Sequence, residues 1–64
     1  MKIYLQKQDR KIERDFSGTA EKLLKELNIN PITVVVTKNN QLISMKEQLD
    51  NKDNIKILSV ISGG

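Results

Sequence analysis

Thr19-Ala20-Glu21-Lys22-Leu23-Leu24-Lys25-Glu26-Leu27-Asn28-Ile29-Asn30-Pro31-Ile32-Thr33-Val34-Val35-Val36-Thr37 is the stretch whose reading decides the fold. Ala20, Leu23, Leu24 and Leu27 recur at i, i+3, i+4 and i+7, which places them on one stripe of a helix. Thr19 is positioned to accept from the first free backbone N–H groups as an N-cap. Glu21 with Lys25, and Lys22 with Glu26, lie four apart on the opposite side and read as helix surface rather than as a site. Asn28, Asn30 and Pro31 end the helix, because a proline disfavours helical geometry in the residue before it. The β-branched run from Ile32 to Thr37 predicts a strand. Its alternation turns Ile32, Val34 and Val36 inward and Thr33, Val35 and Thr37 outward.

Toward the N-terminus, residues 1–6 alternate as a strand with Ile3 and Leu5 on the core face and Lys2, Tyr4 and Gln6 facing away. Residues 7–11 are a polar turn, and Ile12 to Phe16 is expected to return as an antiparallel strand. Arg14 shares the phase of Ile12 and Phe16, so it is placed at an edge with its stem over apolar surface and its head in water. Toward the C-terminus, Lys38-Asn39-Asn40-Gln41 makes a turn, since asparagine accepts a positive φ, and Leu42-Ile43 pairs back as a short strand. Met45 to Leu49 is expected to form one helical turn, with Met45 and Leu49 as satellite core. Residues 50–54 are a polar turn before the last strand, Ile55 to Val60. One amphipathic helix covers one face of a sheet, so the economical architecture is a two-layer α+β domain.

Sixty-four residues allow a single domain, and a chain of this size buries only about 60% of its unfolded surface. The absence of Cys and His excludes disulfides, Cys/His metal sites, a thiol nucleophile and a histidine base. The acidic residues are scattered among lysines and lack the apolar surroundings that tune a general acid and base, so no catalytic residue and no metal site is expected. A net charge of +3 fits a nucleic acid or an acidic protein partner. Only Tyr4 and Phe16 are aromatic, which leaves little for stacking on single strands. No apolar run reaches the length of a bilayer crossing and no signal peptide pattern is present, so a soluble, cytoplasmic, membrane-free protein is the expectation.

The last strand carries an anomaly. Ile55 and Ile57 point to the core, whereas Leu58 and Val60 point outward, as do Tyr4 and Val35 on other strands. If these strands are neighbours, the four side chains form one apolar patch, and such patches mark protein contacts. The strand then runs through Ile61 and Ser62 into Gly63-Gly64. Glycine suits a solvated end; it also threads a narrow channel and leaves the terminal carboxyl carbon unhindered to attack. The chain is accordingly divided into a domain at 1–60 and a flexible tail at 61–64, with Tyr4, Val35, Leu58 and Val60 as the partner-binding patch.

The element order, the helix from Thr19 to Leu27, the Val-rich strand with its turn, and the run from Asp53 through Ile55-Lys56-Ile57-Leu58-Ser59-Val60-Ile61-Ser62-Gly63-Gly64 resemble the ThiS/MoaD family of ubiquitin-like sulfur carriers. The resemblance covers essentially the whole chain, and its specific part is the tail. It implies an α+β ubiquitin-like β-grasp fold, a mixed sheet of four to five strands covered on one face by one helix, with the final strand between the first and the Val-rich ones. It implies a monomer that offers its outer sheet face to an E1-like adenylating enzyme. In that partner's ATP site the Gly64 carboxylate would be adenylated and then converted to a thiocarboxylate, with Ile61 as an anchor of the inserted tail. The sulfur would come from a donor and pass to an acceptor enzyme of thiamine thiazole synthesis, tRNA thiolation or molybdopterin synthesis. ATP and Mg would be bound by the partner, this chain would hold no cofactor, and it would be a co-substrate rather than an enzyme.

The turn residues Asn39-Asn40 and Lys52-Asp53-Asn54 depart from the Asn-Gly and Asp-Gly-Asp runs common in thiazole-type carriers. They weaken that assignment and make rivals of a tRNA-thiolation carrier and of a modifier of the small archaeal type, which also joins Gly64 to substrate lysines. A third reading is a small basic RNA-binding domain whose tail is incidental, contacting phosphates through Lys7, Arg10, Lys11 and Arg14. Against it, Asp9 and Glu13 interleave with these cations, and direct nucleic-acid contact is not the expectation.

Overall fold

A computed structural model describes residues 1–60 of the chain. The division of a tail at 61–64, and with it Ile61, Ser62, Gly63 and Gly64, lies outside the described residues.

Strand β1, Lys2–Leu5, alternates as its sequence requires and buries Ile3. The chain then tightens into a 3-10 turn at Gln6–Gln8, closed by Asp9 at a φ of 47°. Strand β2, Arg10–Glu13, returns antiparallel with Ile3 opposite Ile12. The sequence pattern puts this return at Ile12 to Phe16, so the strand lies two to three residues earlier than expected. The compact 3-10 turn uses fewer residues than a five-residue loop, and the strand ends at Glu13, with the Arg14 N–H still donating to the Met1 carbonyl at 3.1 Å. Phe16 leaves the strand and turns into the core, its backbone N–H donating to Asn51 Oδ1 at 2.6 Å. Arg14 takes the edge position expected of it, 3.5 Å from Glu26 in an exposed pair.

Strand β3, Gly18–Thr19, leads directly into helix α1, Ala20–Glu26, and Thr19 is its N-cap, accepting from the Lys22 N–H at 3.3 Å. Ala20, Leu23 and Leu24 are fully buried. The helix ends by a more local device than Pro31. Asn28 takes a φ of 59°, its N–H donates to the Lys25 carbonyl, and the Ile29 N–H donates to that of Leu24. This double bond pattern around a left-handed residue is a Schellman cap, with Ile29 packing back on the core.

Pro31 acts later, opening a 3-10 turn at Pro31–Thr33 in which Asn30 Oδ1 accepts from the Ile32 N–H at 3.0 Å. The Val-rich strand β4 therefore begins at Val34 and runs to Lys38. Val34 and Val36 face inward as expected, but Ile32 does not: it is 78% exposed, because the turn takes it out of the alternating strand. Asn39 and Asn40, at φ 52° and 70°, form the two-residue turn whose twist matches a hairpin, and β5, Gln41–Ile43, pairs back on β4.

The helical turn expected at Met45 to Leu49 is absent. In its place are a turn and a short strand β6, Gln48–Leu49, paired with β3. The cause is helix α1, whose first backbone N–H groups need acceptors. Ala20 donates to the Glu47 carbonyl at 3.1 Å and Glu21 to the Met45 carbonyl at 2.9 Å, so those carbonyls are not available for a helix of their own. Leu49, expected as satellite core, lies in the main core at 2% exposure.

Strand β7, Asn54–Ser59, closes the fold. The sheet order is β2-β1-β7-β4-β5, with β1 and β7 parallel and the other pairs antiparallel. The last strand thus lies between the first and the Val-rich ones, and one helix covers one face, which is the expected α+β ubiquitin-like β-grasp arrangement. Ile55 and Ile57 meet Ile3, Val36, Leu23 and Leu24 in the single core. No helix among the described residues is long and apolar enough to cross a membrane.

Candidate functional site

The uncovered face of the sheet is built by the residues that alternate away from α1. Register places Lys11, Tyr4, Lys56, Thr37 and Leu42 side by side across five strands, and the next outward row holds Leu58 opposite Val35. Tyr4 stands opposite Lys56, two residues before Leu58, so it lies diagonal to Leu58 on the same face. Three of the four residues expected to form the patch are thus on adjacent strands of one face. Val60 continues that phase beyond the strand end, 53% exposed, with its N–H donating to the Thr33 carbonyl at 3.1 Å.

Tyr4 is oriented by its hydroxyl, which donates to Asp9 Oδ1 at 2.9 Å. That hydrogen bond to an anion holds the phenol proton and raises the Tyr4 pKa above the ordinary tyrosine value. The ring is therefore a neutral apolar surface at physiological pH.

Leu42, 70% exposed, belongs to the same face and is absent from the patch that the sequence pattern predicts. Its position is derivable. A two-residue Asn39-Asn40 turn fixes Lys38 opposite Gln41 and Thr37 opposite Leu42, and the alternation of the Val-rich strand turns Thr37 outward. The exposed Ile32 has no such signal, since its displacement depends on the Asn30 cap.

The four cations of the alternative RNA reading are not brought together. Arg10 and Lys11 are consecutive on β2 and so point to opposite faces, and Arg14 is paired with Glu26. Lys11 instead joins Lys2, Lys56 and Tyr4 along a shallow groove of about 590 Å³ on the outer face. Among the described residues no cluster of acidic side chains could hold a metal ion.

The hairpin end of the site is pinned to the turn before β7. Asn39 Oδ1 accepts from the Asn54 N–H at 3.0 Å while its Nδ2 donates to Asp53 Oδ1 at 3.1 Å, and Asp53 Oδ2 accepts from the Asp50 N–H at 2.8 Å. The Asp50 N–H foremost, then Asn39 and Lys38, hold the Asp53 pKa below its ordinary 3.8. A depressed carboxylate contributes stability above its unfolded value and loses it as pH falls through the folded one. The Tm difference between the native chain and Asp53→Asn should therefore be present at neutral pH, begin to shrink near 3.8 and close as pH falls on through the lower folded value, as thermal melts across that range would read.

Among the described residues the arrangement is an uncovered sheet face with its apolar centre on β7 and no cluster of acidic side chains. A comparison with known families finds a match to the ThiS family over residues 3–64. The chain is also 32% identical over 65 residues, covering 100% of both proteins, to the sulfur carrier protein TtuB of Thermus thermophilus. A β-grasp body, an apolar outer face on its central strand and a family match that runs through Gly64 agree: the chain belongs to the ThiS family.

Proposed function

We propose that this protein is a sulfur carrier that acts as a co-substrate, bearing the sulfur on the carboxyl group of Gly64. The observation that carries the reading is the full-length similarity to a sulfur carrier protein, together with a family match that extends through the Gly-Gly tail. The outer face and the tail then have separate tasks. Leu58, Val35, Tyr4 and Leu42 present an address to an E1-like enzyme, while residues 61–64 reach its nucleotide site, with Ile61 as anchor.

The chemistry needs only what the chain possesses. A carboxylate is a poor electrophile because its negative charge repels nucleophiles and oxide is a poor leaving group. Attack of a Gly64 carboxylate oxygen on the α-phosphorus of ATP releases pyrophosphate and leaves an acyl adenylate, whose AMP departs readily. The terminal sulfur of a donor protein's persulfide then displaces AMP at the carboxyl carbon to give an acyl disulfide, and a second thiol attacks the donor sulfur, forming a disulfide with it and releasing the thiocarboxylate. ATP and Mg belong to the partner, which supplies the charge stabilisation this chain lacks. Gly63, without a side chain, keeps the approach to the carboxyl carbon open.

Incubation with the E1-like enzyme of the same genome, Mg-ATP and a sulfur donor should shift the intact mass by the exchange of one oxygen for one sulfur. Removal of Gly64 should abolish the shift completely. Failure of the native chain to form an acyl adenylate with any such enzyme would overturn the proposal. Gly-Gly remnants on cellular lysines that require Gly64 would instead identify the activated carboxyl as a donor of isopeptide bonds.

A further inference from the structure

The end of β7 is held from both sides, but by different kinds of group. Even-numbered residues of β7 direct their backbone groups to β4: the Asn54 carbonyl accepts from the Asn39 N–H at 2.8 Å, and the Val60 N–H donates to the Thr33 carbonyl at 3.1 Å. Odd-numbered residues face β1. The parallel pairing of β1 with β7 runs from Lys2 beside Asn54 to Leu5 beside Ile57 and then stops, because the chain curls into the 3-10 turn at Gln6–Gln8. Ser59 therefore faces a place where strand β1 has ended, and a backbone N–H there would be left to water. Its partner is a side chain: Gln6 Oε1 accepts from the Ser59 N–H at 2.9 Å, across 53 residues of sequence.

We propose that Gln6 is a positioning residue for the C-terminal tail, its amide oxygen standing in for the missing backbone of β1 and fixing the point at which the tail leaves the body. This rests on the sulfur-carrier reading. With Ser59 tied to Gln6 and Val60 tied to Thr33, the last two backbone donors before the tail are both committed. Only residues 61–64 remain to span the distance to a partner's catalytic atoms, and four extended residues cover at most about 14 Å. A root that is fixed in place has already surrendered the backbone freedom that productive docking would otherwise have to remove. Gln6 is itself exposed and makes no contribution to the buried core, so its amide is placed for this bond rather than for packing.

Gln6→Leu keeps a side chain of similar reach but removes the acceptor, and Gln6→Glu keeps an acceptor oxygen. The expected result with the activating enzyme is a KM about fivefold higher for Gln6→Leu with kcat unchanged, faster Ser59 amide exchange by NMR, and a nearly native Tm. Gln6→Glu should restore both KM and Ser59 protection. A native KM for Gln6→Leu, or a Gln6→Glu variant that behaves like Gln6→Leu, overturns the proposal, as does a lowered Tm with KM unmoved. If the native chain is not adenylated at all, the sulfur-carrier reading falls and takes the positioning role with it. Ser59 exchange in the free protein then still reports whether Gln6 holds the strand end.

Discussion

Leu58→Asp should leave the domain folded and cut the rate of activation by the E1-like partner roughly a hundredfold or more. Strand phase separates the two effects. Leu58 lies on β7 between Ile57, 3% exposed, and Ser59, which is exposed; it faces away from α1, opposite Val35 and diagonal to Tyr4. Leu58 is half-buried on that face, so a shorter carboxylate still reaches water in the free protein and its cost to the fold is part of the leucine's burial besides β-propensity and one lost cross-strand pair, about 1–2 kcal/mol. In the proposed complex the same group would lie within the contact with its solvent removed. An interface centre commonly carries about 2 kcal/mol or more per anchoring residue, and an unpaired charge adds its own desolvation cost. The two effects together exceed the roughly 2.7 kcal/mol that a hundredfold represents, about twice the 1.4 kcal/mol of one decade. Acyl-adenylate formation against carrier concentration measures it, and unchanged far-UV circular dichroism checks that the domain is intact. Native activation by the variant would remove Leu58 from the interface.

The same side chains show why so much of this protein is legible in its sequence, and where legibility stops. The stripe Ala20, Leu23, Leu24 and Leu27 and the alternation Ile55, Ile57 against Leu58 are local signals, because the periods of 3.6 and 2 exist within one element. They place the helix, the core and the outward residues of β7. What local periodicity does not show is which backbone groups are used by distant elements. The Met45 to Leu49 segment has a helical spacing of apolar residues, yet the carbonyls of Met45 and Glu47 are taken by the first N–H groups of α1. Ile32 has the alternation of a strand, yet Asn30 caps a turn at that point and exposes it. Phe16 has the phase of a strand residue, yet its N–H goes to Asn51. In each case a hydrogen bond outside the segment wins over the segment's own pattern.

The candidate site divides in the same way. Tyr4, Val35 and Leu58 are legible because each is an apolar residue in the outward phase of its own strand, and Val60 because it continues the phase of β7 past the strand end. Leu42 is legible in principle through the register of the Asn39-Asn40 turn. Gln6 is legible only as an outward residue of the first strand. Its bond to Ser59 depends on the point at which β1 gives way to a 3-10 turn, and no periodicity encodes that.

Ile57→Asp, one residue from Leu58→Asp, should have the opposite outcome: no folded domain at neutral pH. Ile57 pairs with Leu5 on one side and Val36 on the other and lies 3% exposed in the core beneath α1. Removing the isoleucine side chain from such a place costs about 2–4 kcal/mol in lost burial and in the cavity left behind. The carboxyl that replaces it finds no buried polar or charged side chain nearby, since the described core contains none. It must either ionise without a partner or take up a proton, and each choice costs a few kcal/mol more. Against this stands a chain of 64 residues, whose net stability at about 0.05–0.15 kcal/mol per residue is roughly 3–10 kcal/mol. The penalty therefore matches or exceeds the whole margin, and the amide NMR spectrum should collapse to the narrow dispersion of an unfolded chain. Lower pH should recover part of the signal, because protonation removes the charge but not the cavity. A folded Ile57→Asp beside an unfolded Leu58→Asp would invert the phase of β7, and with it the assignment of which sheet face is offered to the partner.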